Sequence, residues 1–211
     1  MQFKTKICGV TSLQDARAAI ELGADAIGLN FYRSSRRFVN PELAREISRD
    51  IQPGKALRVG VFVNMPVDEV LETVKRVGLD VVQFHGDETT DMIEPIGLPV
   101  IRAIRLGEQA STEKEIRQWS ELGVEAILLD ADAGSEYGGT GRTIDWQKAG
   151  QISCECPLIL AGGLTPDNVG RAISEARPDA VDVASGVERQ GGGKDPGLMR
   201  RFIRNAREAF G

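Results

Sequence analysis

The chain is poor in the residues and patterns that several protein classes require. Its 211 residues contain one histidine, three cysteines and only 5% aromatics, and Lys plus Arg reach 26 against 31 Asp plus Glu. The resulting formal charge of -5 opposes nucleic-acid binding, because a phosphate backbone calls for a basic face. Nowhere does an uninterrupted apolar run reach the ~18 residues of a membrane-spanning helix, so no membrane partner is expected. The start, MQFKTKICGV, arrives at Cys8-Gly9 without an apolar signal-peptide core. An odd set of cysteines in a chain long enough to stabilise itself by burial points to a reducing compartment, and the expected location is cytoplasmic. Cys154-Glu155-Cys156 is half of a metal-ligand pattern at most: no second cysteine pair follows and the sole histidine, His85, is distant in sequence. No metal is expected.

Glycine is plentiful, at 24 residues, and so is alternation. Short β-rich apolar runs occupy Phe3–Cys8, Ala26–Phe31, Leu57–Val63, Val81–Phe84, Val100–Ile104, Ala126–Asp130, Leu158–Ala161 and Ala180–Ala184. Helical patterns follow them at Ser12–Leu22, Pro41–Asp50, Val67–Val77, Thr89–Ile96, Thr112–Leu122, Asp145–Gly150, Pro166–Ala176 and Pro196–Ala209. Thr11-Ser12, Asn40-Pro41, Pro66 and Thr165-Pro166 are helix-start signals. One phrase recurs at the strand entrances, Leu22-Gly-Ala-Asp25, Val77-Gly-Leu-Asp80 and Leu122-Gly-Val-Glu125, with Ala176-Arg-Pro-Asp179 as a glycine-free variant. The three glycine phrases join a helix end, a Gly able to take positive φ, a small or apolar residue and an acidic residue. The alternation never pauses for a linker, which argues for one domain spanning 1–211. Eight βα units of roughly 26 residues predict a closed (β/α)8 TIM barrel of the α/β class over an open doubly wound sheet of about five or six strands.

In such a barrel the active site lies at the C-terminal strand ends. Cys8 ends the first run; it is either a proton-transfer or nucleophilic thiol or a small buried hydrophobe. Asp130 ends the sixth, where neighbours can raise its pKa enough for it to act as an acid, although a cap or an arginine partner is equally simple. His85 follows the fourth as a substrate contact or a structural hydrogen-bonding group. Arg33, Arg36 and Arg37 follow the second, and one of them can clamp a carboxylate. Gly162-Gly163 and Ser185-Gly186 follow the last two strands. Any one of these glycines suits a tight turn, but the two loops together suit a phosphate held on backbone N–H groups. A third glycine-rich stretch, Tyr137–Thr143, is either a lid or part of a substrate pocket. Its Gly138-Gly139-Thr140-Gly141 fits neither G-x-x-x-x-G-K-[ST] nor G-x-G-x-x-G, so ATP and NAD are rejected.

Lys6-Ile-Cys-Gly-Val-Thr11, Gly60-Val-Phe-Val-Asn64, Gln83-Phe-His-Gly-Asp-Glu88, Leu128-Leu-Asp130, Gly138-Gly-Thr-Gly141 with Asp145-Trp146, Leu160-Ala-Gly-Gly-Leu164 and Asp182-Val-Ala-Ser-Gly-Val-Glu188 form an ordered set running from first strand to last. This set resembles the phosphoribosylanthranilate isomerase family of tryptophan biosynthesis. The resemblance implies an Amadori rearrangement of N-(5-phosphoribosyl)anthranilate to 1-(2-carboxyphenylamino)-1-deoxyribulose 5-phosphate, with no metal or cofactor and a small anionic substrate as partner. It implies Cys8 as general base and Asp130 as general acid, Arg37 on the anthranilate carboxylate, and Gly162, Gly163, Ser185 and Gly186 on the phosphate. These roles need Cys8 ionised and Asp130 protonated near neutral pH, so Cys8 is expected to be lowered and Asp130 raised. Two positions depart from the family pattern: Arg33 stands where proline is usual, and Ala184 replaces a frequent serine. Competing readings are a bifunctional phosphosugar isomerase, another phosphosugar barrel with strand-end aspartates or a lysine, and a noncatalytic phosphate-metabolite-binding barrel. Monomer and homodimer both fit the sequence.

Overall fold

The computed structural model describes residues 3–107, 109–131 and 145–211. The glycine-rich stretch 137–143 lies outside the described residues. Eight parallel strands close into a barrel in chain order: β1 (Thr5–Cys8), β2 (Ala26–Asn30), β3 (Leu57–Phe62), β4 (Val81–Phe84), β5 (Val100–Leu106), β6 (Ala126–Ala131), β7 (Leu158–Leu160) and β8 (Ala180–Val183). The register of β1 against β8, with Lys6 opposite Asp182, closes the ring. The helices are α1 (Leu13–Glu21), α2 (Pro41–Asp50), α3 (Val67–Val77), α4 (Gln109–Glu121), α5 (Trp146–Ala149), α6 (Val169–Ala176) and α7 (Pro196–Phe210). The fold is the (β/α)8 barrel that the alternation predicts. No described helix is long and apolar enough to cross a membrane.

Strand period separates two cores. One set, including Ala26, Val59, Val81, Ile101, Leu128, Ile159 and Ala180, packs together inside the barrel. The alternate residues, such as Ile7, Ile27, Leu29, Val82, Ile127 and Val181, pack outward against the helices. Local chemistry sets the helix starts. Ser12 Oγ, Asn40 Oδ1, Asp145 Oδ1 and Asp195 Oδ1 accept from backbone N–H groups two or three residues into α1, α2, α5 and α7.

Three expected helices differ, α4 by beginning at Gln109 rather than Thr112. Thr89–Ile96 is not α-helical but consists of two 3-10 turns, Thr90–Met92 and Glu94–Ile96. Pro95 has no N–H to donate to an i−4 carbonyl and its ring crowds that carbonyl, so the α pattern cannot propagate. Helix α6 starts at Val169 rather than Pro166. Asn168 Oδ1 accepts from Thr165 N, and Asn168 Nδ2 donates to the Gly163 carbonyl, holding Thr165–Asn168 in a turn that belongs to the β7 loop.

Candidate active site

Cys8 is half-buried at the end of β1, with Lys6 two residues below it on the same inward face. Gly28 is its register partner on β2. A Cβ at Gly28 would lie 2.6 Å from Cys8 Sγ, so glycine makes the space for the thiol. Beneath it Lys6 Nζ, fully buried, donates to Asp182 Oδ1 at 3.0 Å. To one side the buried Lys194 Nζ donates to the Ala184 carbonyl at 3.0 Å and to Glu188 Oε1 at 2.9 Å. Burial pushes the Cys8 thiol up, the Lys6 and Lys194 charges pull it down, and Asp182 opposes them; the net position is above the ordinary thiol value.

Asp130, 7% exposed, ends β6. Its Oδ2 accepts from His85 Nε2 at 3.1 Å, and its Oδ1 accepts from Ala131 N at 2.8 Å. Burial pushes this carboxyl up, but the hydrogen bond and electrostatic pull of the His85 ring, the Ala131 N–H and the Lys6 charge outweigh it and hold Asp130 below the usual carboxylate value. Both directions reverse the expectation of a raised Asp130 and a lowered Cys8. For Asp130 the reason is pairing across the barrel, His85 arriving from β4 to hold the carboxylate; for Cys8 it is burial, which outweighs the pull of the lysines, with Asp182 adding to it.

His85 stands against Asp130 and also lines a cavity with Gly86 and Asp87. Gln83, two residues earlier on the same face of β4, places Nε2 at 2.9 Å from His85 Nδ1. With that amide as donor, His85 Nδ1 accepts and Nε2–H points at Asp130. Gln83 Oε1 is buried without a hydrogen-bond partner among the described residues. Turning the amide over would place the proton on Nδ1 and let Nε2 accept from a protonated Asp130, so the Gln83 orientation and the Asp130 proton are linked through His85.

Arg37, expected on the anthranilate carboxylate, is paired with Glu188. Its Nε and Nη2 donate to Glu188 Oε1 and Oε2 at 2.6 and 2.9 Å, and Arg36 Nη2 reaches Glu188 Oε2 at 3.0 Å. Burial pushes Glu188 up, but Arg37 and Lys194 together hold it below its ordinary value. The Arg37 stem lies over Gly9, beside the thiol, and no Cβ fits between them. The guanidinium still carries Nη1 as a donor outside this bidentate pair. Arg33 is exposed on the same loop.

The last two strand loops close on one another. Gly162 and Gly163 both have positive φ, 78° and 63°. Gly186 lies in the 3-10 turn Ser185–Val187 so close to the Leu164 carbonyl that no side chain fits. Gly162 in turn backs onto Asp130, whose Oδ1 would be 3.1 Å from a Cβ there. Asp130 and the two glycine loops thus form one continuous wall.

Sequence reasoning assigned no role to Lys6, Gln83, Asp182, Glu188 or Lys194. A signal existed for three of them. Lys6, Gln83 and Asp182 are polar residues at inward positions of apolar strands, where period two alone makes them conspicuous. Glu188 and Lys194 carry no such mark.

Fold and rim define a (β/α)8-barrel enzyme whose C-terminal rim joins ionisable side chains to two glycine loops. The family model described as N-(5'phosphoribosyl)anthranilate (PRA) isomerase matches residues 5–205, and the chain belongs to that family. A Magnetococcus marinus protein named N-(5'-phosphoribosyl)anthranilate isomerase is 44% identical over 209 residues, covering 99% of this chain and 97% of that protein. The crystal structure of phosphoribosyl anthranilate isomerase from Thermotoga maritima superposes with a TM-score of 0.88 at 38% identity, covering 98% of this chain and all of that one. A phosphoribosyl anthranilate isomerase in complex with reduced 1-(o-carboxyphenylamino)-1-deoxyribulose 5-phosphate gives a TM-score of 0.83 at 37% identity, with the same coverage.

Proposed function

We propose that this chain isomerises N-(5'-phosphoribosyl)anthranilate to 1-(o-carboxyphenylamino)-1-deoxyribulose 5-phosphate, with Asp130 as general acid and Cys8 as general base. The observation that carries the reading is the placement of one carboxyl and one thiol on the inner rim at β6 and β1, the carboxyl against His85 and the thiol above the buried Lys6–Asp182 pair, beside the loops of β7 and β8. Protonation of the furanose ring oxygen by Asp130 opens the ring to an iminium ion, which acidifies the sugar C2 proton. The Cys8 thiolate removes that proton, and the resulting enolamine tautomerises to the ketone. Gln83 and His85 position the Asp130 carboxyl. Phosphate is taken by backbone N–H groups of Gly162, Gly163, Ser185 and Gly186, where neighbouring peptide dipoles favour negative charge. Arg37, braced by Glu188, offers Nη1 to the anthranilate carboxylate. The noncatalytic phosphate-binding reading is the weaker one, because a mere receptor has no need of an acid and a base on opposite sides of its ligand.

Turnover of freshly generated substrate, followed by loss of anthranilate fluorescence, tests the proposal. The parent chain is expected to turn over, and Cys8→Ser and Asp130→Asn each to lose about 10²- to 10⁴-fold in kcat while remaining folded. A folded parent that binds the product analogue without turnover overturns the reading.

A further inference from the structure

Two sulfurs lie far from the rim. The segment that enters β7 from the opposite end of the barrel bends at Glu155 and Cys156, and the bend turns Cys154 and Cys156 to the same side. Their Sγ atoms are 2.9 Å apart, and Ser120 Oγ, from the last turn of α4, sits 3.3 Å from each. Both thiols are half-buried, with one side against the outer apolar core. On the other side Cys154 lines an open cavity with Arg117, Ser120 and Glu155, which gives a small molecule access to sulfur. Among the described residues no third His, Cys, Asp or Glu joins the pair to complete a metal site.

The geometry points to Cys154 and Cys156 as a redox-active dithiol that a small-molecule disulfide oxidises to an internal disulfide, at a site separate from the catalytic rim. Cys154 lines the cavity and Cys156 does not, so the first attack falls to Cys154, while burial and the hydrogen bond with Cys154, partly offset by Ser120, push Cys156 up to about 11. The Cys154 thiolate attacks one sulfur of the small disulfide, forming a mixed disulfide and expelling a thiolate that takes up the proton Cys154 lost. Cys156 then attacks the Cys154 sulfur, loses its own proton and expels the second small thiol. The protein gives up two electrons and two protons, and one small disulfide becomes two thiols. A ring closed across a single intervening residue is strained, which makes the bond easy to reduce and the change reversible.

The unsubstituted chain, equilibrated in mixtures of oxidised and reduced glutathione and mapped by non-reducing peptide mass spectrometry, supplies the principal test. The expected product is a Cys154–Cys156 peptide lighter by two hydrogens, with no lasting glutathione adduct on either residue, restored by dithiothreitol. Cys154→Ser and Cys156→Ser are each expected to trap one glutathione on the surviving cysteine, because the resolving sulfur is gone. Stable glutathione adducts on the unsubstituted pair, thiols that stay reduced in fully oxidised glutathione, or disulfides formed between chains each overturn the inference. Because the readout is covalent mass in the unsubstituted chain, a variant that fails to fold does not blunt it.

Discussion

Cys8 and Asp130 rest with their single shared proton on the side opposite to the one the proposed chemistry uses. The resting pair is a thiol and a carboxylate; the reactive pair is a thiolate and a carboxylic acid, which binds the same number of protons. The reactive form is therefore a fixed minor share of the singly protonated pair. That population falls at low pH when Asp130 also protonates, and at high pH when Cys8 also ionises. We expect kcat/KM to hold level through neutrality, to fall in acid as Asp130 protonates, and to fall again as pH climbs through the raised Cys8 value, above the ordinary ~8.5 of a thiol. An initial-rate profile that instead rises through the thiol range contradicts this assignment. The identities of both residues were legible, because each ends an apolar run at a strand terminus. Their protonation order was not, since His85 and Asp130 are 45 positions apart and neither residue type names the other as partner.

At the scale of elements, the repeated entrance phrase acts as a strand cap. Gly23, Gly78 and Gly123 all have positive φ as the phrase requires, and Arg177 takes the same left-handed conformation in the glycine-free variant. The acidic residue then reaches sideways to the strand before. Asp25 Oδ2 accepts from Lys4 N, Thr5 N and Thr5 Oγ1 at the start of β1, Asp80 Oδ2 from Arg58 N in β3, and Asp179 Oδ2 from Leu158 N in β7. The residues entering β2, β4 and β8 thus carry carboxylates that satisfy N–H groups at or next to the start of the odd-numbered neighbour. Asp25→Ala should lower stability to urea by about 2–3 kcal/mol, the range for hydrogen bonds to a charged acceptor, with kcat unchanged because it lies at the other end of the barrel. An equal loss in kcat would mean that the strand entrance also sets the rim. The exceptional element is the β4 connection, where Pro95 limits an apparently helical pattern to 3-10 turns.

At the scale of the whole molecule, closure concentrates charge at the seam. Lys6 and Asp182 meet inside the barrel where β8 returns to β1, and neither partner has water to fall back on. Lys6→Met, which strands a buried carboxylate, should cost about 3–5 kcal/mol; Lys6→Met combined with Asp182→Leu should recover most of it, because an apolar pair avoids the desolvation of both ions. Urea denaturation of the three chains decides this, and a double variant no more stable than the single one would place the effect in packing instead. The order of strands and helices, the closed parallel architecture and the candidate rim residues all follow from features read within a few positions of one another: periodicity, caps, positive-φ turns and what stands after each apolar run. The partners of those rim residues do not. Lys6 finds Asp182 across 176 positions and Arg37 finds Glu188 across 151, and hydrogen bonds between such distant groups exist only after the barrel has closed. Electrostatic energy depends on distance and on the water removed between charges, so the proton order of Cys8 and Asp130 and the bracing of Arg37 were properties of the folded ring.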